Sequence, residues 1–231
     1  MSKQKRIEQA KAKSQKKKNR LLAGFVAVFL VAVVAGTALY QTRGTEPTQS
    51  GSDGRQAALA STHSPTLGDS SAKVHIVEFL DPACGTCALF YPMVKQWMSE
   101  VPDKVRLSVR HVAFHPGADY VVKILEASRK QGKYWETLEA LLASQQQWVV
   151  NHNVQPDRVL PAIAAVGLDV DQILADMNSV DILQRIEQDK QDSIFLKVSA
   201  TPEYFVNGRP LPSFGQQQLA DLVREELEKA Y

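Results

Sequence analysis

Val74-His75-Ile76-Val77-Glu78-Phe79-Leu80-Asp81-Pro82-Ala83-Cys84-Gly85-Thr86-Cys87 carries the chain from a strand into a helix. Val74 to Leu80 is apolar at nearly every position and rich in Val and Ile, the composition of a central strand covered on both faces. Asp81-Pro82-Ala83 is a short turn. After it, Leu89, Phe90, Met93, Val94 and Trp97 recur at helical spacing and predict a helix over 87–101. A C-x-x-C at the start of that helix puts two sulfurs one turn apart beside unpaired backbone N–H groups and the positive end of the helix dipole, which stabilise a thiolate. Cys84 and Cys87 are the only cysteines in 231 residues, and the arrangement reads as a redox centre.

Two other uses of the pair stand beside that one. Zinc takes four ligands, and without a second cysteine pair His75, His111 and His115 complete a site only if the fold gathers them. A structural staple gains little, because a loop of two intervening residues removes little entropy from the unfolded chain.

Outward from this centre, the N-terminal 20 residues hold nine Lys or Arg against one acid, Glu8. Leu21 to Tyr40 follows as 20 residues without a charge, enough to cross a hydrocarbon core of about 30 Å as a helix. The expectation is a basic cytoplasmic tail over 1–20 and a single uncleaved transmembrane anchor over 21–40, with everything from Gln41 onward outside the cytoplasmic membrane. A cleaved signal peptide competes, since Gly36-Thr37-Ala38 offers small residues at the right spacing; the apolar run, however, exceeds an ordinary signal core of about 7–15 residues. Beyond the tail the chain carries 18 basic and 24 acidic side chains of its 27 and 25, a net of −6, and nothing there points to nucleic acid. Residues 41–64 are rich in Ser, Thr, Gly and Gln, lack apolar periodicity and are expected to be a flexible tether. Residues 65–231 are then one domain of ordinary size, large enough for its own core.

Within that domain Val105 to Ala113 reads as a second strand. Helical patterns follow over 119–131, 134–148, 157–166, 170–178 and 181–197. Strand character returns at Glu203 to Val206, closed by Asn207-Gly208, a hairpin turn pair, and the chain ends in an amphipathic helix over 216–229. The order is strand, helix, strand, several helices, hairpin, helix.

With these elements in place the chain resembles, from about Ser64 to Tyr231, the DsbA-like thiol-disulfide oxidoreductases of the thioredoxin superfamily. Besides Cys84-Gly85-Thr86-Cys87 the resemblance rests on Glu78, six residues before Cys84, where the family carries an acid beneath the site. Pro92 lies where such proteins kink the active-site helix, although by itself it equally marks an early helix end. Ala200-Thr201-Pro202 lies where the superfamily places a cis-proline, and Gly132-Lys133-Tyr134-Trp135 falls in a stretch like the family's helical insert. The chain departs at Gly85-Thr86, where strongly oxidising members commonly have Pro-His; neutral Thr86 gives the Cys84 thiolate no positive charge, which leaves the direction of electron flow open.

The resemblance implies an α/β thioredoxin-like fold with a helical insertion over about 117–197, here preceded by the transmembrane helix. It implies a catalytic Cys84 as nucleophile, Cys87 as resolving thiol, Glu78 as proton relay, and Thr201 and Pro202 as the place where an extended substrate chain pairs. No cofactor beyond the Cys84–Cys87 disulfide and no metal are expected. The expected partners are exported cysteine-containing proteins and a membrane or soluble redox partner of unknown identity. The domain would work on the periplasmic side of the inner membrane, as an oxidase, reductase or isomerase. The alternative from another class is a copper-handling module with the two thiols as ligands, since soft thiolates select copper(I); a substrate-binding chaperone with an incidental dithiol is a third.

Overall fold

The structure is a computed structural model that describes residues 48–59 and 61–231. The basic tail, the apolar segment 21–40 and the start of the expected tether lie outside the described residues; among those described, no helix is long and apolar enough to cross a membrane. All side chains discussed below belong to one compact unit, Asp53–Tyr231.

Five strands make its main sheet, β1 (Thr66–Leu67), β2 (Val74–Leu80), β3 (Val105–His111), β6 (Glu203–Val206) and β7 (Arg209–Pro210), in the order β1-β3-β2-β6-β7. β2 lies in the middle, parallel to β3 and antiparallel to β6, with Glu78 opposite Val109 on one side and Tyr204 on the other. Alternation along the strand sends Val74, Ile76 and Leu80 into one core and Val77 and Phe79 into another. The doubly buried, Val- and Ile-rich run is thus explained by a helical layer on each face, and each such fully buried side chain contributes about 1.5–3 kcal/mol.

Helix α2 (Gly85–Glu100) follows β2 and buries Cys87, Phe90, Tyr91 and Val94, one stripe at helical spacing against the first core. Leu89, read from the sequence as part of that stripe, points out and is 62% exposed. Pro92 stands inside α2 and does not end it; the helix runs two further turns to Glu100. Between β3 and β6 lies the helical insertion: α3 (Ala118–Lys130), α4 (Tyr134–Ala143), α5 (Gln145–Trp148), α6 (Pro156–Ala162), α7 (Val170–Asp176) and α8 (Val180–Leu196). α9 (Gln216–Ala230) closes the chain, packing Leu219, Leu222 and Val223 into the first core.

Arg110, without exposed surface, ties the end of the insertion to the sheet. Its Nε donates to Asp189 at 2.6 Å, one Nη to Asp192 at 2.6 Å and the other to the Ala58 carbonyl at 2.6 Å, while Asp189 also accepts the His111 backbone N–H at 2.9 Å. A buried guanidinium is tolerated because every direction of its fork meets an acceptor.

Two further expectations are corrected. The stretch 41–64, read as a flexible tether, carries helix α1 (Thr48–Leu59), which buries Ala58 and Leu59 against Val77, Phe79 and Phe205. Its Gly- and Ser-rich sequence has no apolar stripe, so only tertiary contact at its last turn gives the helix away. The helix expected over 134–148 breaks at Ser144, whose hydroxyl donates to the Ala140 carbonyl at 2.7 Å, a bond that competes with the helical ladder. After it comes a small hairpin, β4 (Val149–Val150) and β5 (Asn153–Val154), turned at Asn151 and His152, both at positive φ. The other hairpin, at Asn207-Gly208, has φ of 49° and 82°, the conformation that pair favours.

Candidate active site

Cys84 is the N-cap of α2. The Asp81-Pro82-Ala83 turn delivers it there: the Asp81 side chain accepts the Ala83 N–H at 2.8 Å, and the Asp81 carbonyl accepts the Cys84 N–H at 3.0 Å. This Asx turn leaves the first N–H groups of α2 facing the Cys84 sulfur. The thiol donates to the Thr201 carbonyl at 3.2 Å. A hydrogen bond from the Cys87 thiol, then one from the Thr201 side chain and the backbone N–H groups of Cys87 and Thr86, outweigh burial and lower Cys84 to about 5 from its ordinary 9.0. Both cysteines are free thiols.

Cys87, one turn on, has no exposed surface. Burial first, then its hydrogen bond to Cys84 and the negative charge of Glu78, push it far above an ordinary thiol. Two sulfurs three residues apart are thereby held in opposite protonation states around neutral pH. Glu78, on the first-core face of β2, is fully buried; the Tyr204 hydroxyl donates to its Oε1 at 3.0 Å, while Oε2 has no partner among the described residues. Desolvation, opposed by that hydrogen bond and reinforced by Cys84, raises Glu78 to about 8. A carboxyl with one unpaired oxygen and a pKa near the working range is suited to take or give a proton.

The peptide bond between Thr201 and Pro202 is cis. These two residues, with Thr86, Leu211 and Phe214, line an open groove of about 440 Å³ beside the dithiol. Phe214 is 54% exposed and packs with its ring tilted 32° against Phe90 of α2, centroids 4.8 Å apart, giving the groove an apolar wall. Pro202 has no N–H to offer on the side facing the dithiol. Gly85 is exposed at the first turn, and a Cβ there meets Gln145 Oε1 at an ordinary 3.7 Å, so space does not demand glycine.

The structure therefore gathers Glu78, Cys84, Gly85, Thr86, Cys87, Thr201 and Pro202 around one opening. It leaves the three histidines elsewhere: His75 bonds Ser108 on the other sheet face, His111 bonds the Tyr134 hydroxyl, and His115 bonds Asp81. Among the described residues no three His, Cys, Asp or Glu side chains are placed to hold a metal ion.

Sequence reading missed Asp81 and Tyr204. Besides the turn at Ala83, Asp81 accepts the backbone N–H groups of Phe114 and His115 and the His115 ring, at 2.7, 2.8 and 2.8 Å, fixing the active-site turn to the segment that enters the insertion. Its place before a proline was the available signal. Tyr204 is set opposite Glu78 by strand register, which the sequence does not display.

A family model described as thioredoxin matches residues 60–225. A Na(+)/H(+) antiporter NhaA of Herminiimonas arsenicoxydans is 29% identical over 144 residues, covering 62% of this chain and 22% of that protein. The chain spans about a fifth of the length of the curated relatives it matches. A solved thioredoxin-like oxidoreductase from Silicibacter pomeroyi DSS-3 is 27% identical with a TM-score of 0.65, covering 77% of this chain and 99% of that one. The alpha-DsbA1 structure of Wolbachia pipientis, at 20% identity and a TM-score of 0.66, covers 77% of this chain and 97% of that one and shares its fold. The fold is thioredoxin-like with a helical insertion.

Proposed function

The chain belongs to the thioredoxin family, and we propose that it is a DsbA-like thiol-disulfide oxidoreductase with Cys84 and Cys87 as its redox centre, Glu78 as proton relay and the Thr201-Pro202 groove as the substrate seat. The observation that carries this is the placing of the two sulfurs: Cys84 caps α2 with its sulfur 3.2 Å from the carbonyl of Thr201, a residue that lines the groove, while Cys87 lies without exposed surface one turn on; the first thiol is correspondingly lowered to about 5 and the second raised. To reduce a disulfide, the Cys84 thiolate attacks one substrate sulfur; a mixed disulfide forms and the other substrate sulfur leaves as thiolate. Cys87 gives its proton to ionised Glu78 and attacks Cys84, the mixed disulfide breaks, and the second substrate thiolate departs. Two electrons have moved from the pair to the substrate. Oxidation of a dithiol runs through the same atoms in reverse, with Glu78 protonating departing Cys87. A thiolate held at about 5 stabilises the reduced pair and so favours the oxidising direction.

The test is turnover of a small disulfide and of a reduced protein by the full-length chain, side by side with Cys84→Ser and Cys87→Ser. Cys84→Ser abolishes both activities and Cys87→Ser accumulates mixed disulfides. Unchanged turnover in Cys84→Ser refutes the assignment.

We further propose that Leu21 to Tyr40 anchors the protein in the cytoplasmic membrane with its catalytic unit outside, acting on cysteines of exported proteins and recycled by a separate redox partner. Support comes from the uncharged 20-residue run behind a basic flank and from the persistence of disulfides outside the cytoplasm. Alkaline carbonate extraction leaves such a protein in the membrane pellet; release of a processed form beginning near Leu39 identifies a signal peptide instead.

A further inference from the structure

We propose that the protein binds the phosphate group of a small ester in a second cavity, on the sheet face opposite the dithiol, with Arg106 as its charged anchor. The cavity measures about 640 Å³, within the ordinary range for small-molecule sites. Its floor is the open part of the sheet, where His75 pairs with Arg106 and Thr66 with Ser108, and its rims are the last turn of α1 and the Asn207-Gly208 turn.

The lining is one-sided in charge. Lys73 and Arg106 face the cavity, no carboxylate does, and six hydroxyls surround them, although the chain beyond its basic tail is net −6. Lys73 is already engaged: its Nζ donates to the Ala230 carbonyl at 3.0 Å and lies 4.6 Å over the Tyr231 ring. Arg106 is not. Among the described residues it has no ion pair, and its buried Nε has no hydrogen-bond partner; the buried Oγ of Ser64, a residue 9% exposed, is likewise unpartnered. Groups of this kind are costly to leave unsatisfied and are cheapest to satisfy with a ligand that brings several acceptors at once.

His75 completes the wall without adding charge. Its Nε2 lies 2.8 Å from Ser108 Oγ, which in turn lies 2.7 Å from Thr66 Oγ1, so these side chains form one hydrogen-bonded row. Burial, and then the Arg106 charge, hold His75 at about 4, neutral near pH 7. A guanidinium fork with surrounding hydroxyl donors matches the three oxygens of a phosphate better than the two of a carboxylate. Phosphate alone leaves most of the volume empty, which points to an ester. That chemistry is shared by soluble phosphate esters and by phospholipid headgroups, and the experiment separates them.

Calorimetric titration of detergent-solubilised full-length protein with glycerol 3-phosphate is run against glycerol, and with a short-chain phosphatidic acid against the matching short-chain phosphatidylcholine. Saturable binding of one glycerol 3-phosphate per chain, none of glycerol, and a roughly tenfold or greater weakening in Arg106→Gln support the site. Saturable binding of the short-chain phosphatidic acid tighter than that of glycerol 3-phosphate, and weakened in the same variant, assigns a lipid headgroup as the source. Thiol exchange by Arg106→Gln reports its folding, because the dithiol lies across the sheet; Ser108→Ala serves should that variant not fold. Absence of saturable binding to either phosphate probe at millimolar concentration, or binding undiminished in both variants, overturns the proposal.

Discussion

Replacing Glu78 with Gln keeps a polar side chain against the Tyr204 hydroxyl but removes a titration that burial has displaced. The carboxyl is fully buried and sits at about 8 in the folded protein, against 4.5 when unfolded. Between those values the unfolded chain has released a proton that the folded chain keeps, so the wild type loses stability as pH rises, and the loss is complete above about 8. At 1.36 kcal/mol per pH unit the loss attributable to Glu78 is under about 1 kcal/mol at pH 5, about 2 at pH 6 and about 5 at pH 9. Glu78→Gln escapes all of it, and every other titrating group is common to both proteins. Urea unfolding of the full-length, reduced proteins across that pH range therefore shows the variant gaining on the wild type by several kcal/mol from pH 5 to 9. A stability difference that stays flat with pH, or grows toward acid, refutes the displaced carboxyl and with it the proton relay.

Asp81→Ala strips three bonds from the segment at Phe114 and His115 and one from the turn at Ala83. With about 1–3 kcal/mol lost for each buried group left unsatisfied, denaturant unfolding is expected to show a loss of at least about 3 kcal/mol, and a loss below about 1 contradicts the clamp. With Cys84 lowered to about 5 and Cys87 raised, one proton accompanies two electrons near neutral pH, so the potential of the pair shifts by about 30 mV per pH unit there and about twice as steeply below pH 5. Equilibration with glutathione at several pH values measures this; the steeper slope persisting through pH 7 shows that Cys84 is not a thiolate.

The parts of the fold visible in the sequence are those whose reasons are local. Val74 to Leu80 declares its double burial by composition, Asn207-Gly208 declares a turn by its tolerance of positive φ, and the stripe Phe90, Val94 declares the inward face of α2. Invisible were elements held by partners distant in the chain. α1 is ordered where Ala58 and Leu59 meet Phe205, and β1 is two residues long and exists through its pairing with Ser108 and Leu107. The turn at Asn151-His152 has no glycine to announce it. In the candidate site, the cysteines were legible as residue types at a spacing and Glu78 through the family resemblance, whereas Tyr204 and Asp81 act through register and through bonds that cross some thirty residues or more. Leu89 belonged to the apolar pattern and to none of the packing, because a 3.6-residue period sweeps the stripe past it.

The rate of alkylation of Cys84 by iodoacetamide, followed by mass spectrometry against pH in the reduced full-length protein, tests the account most directly. The thiolate alone reacts, so the rate is predicted to rise to half its plateau at about pH 5 and to stay level through neutral pH, while Cys87 remains unmodified. A Cys84 profile that is still rising at pH 8, with a midpoint near an ordinary thiol's roughly 8.5, contradicts the claim that this site is built around a stabilised thiolate.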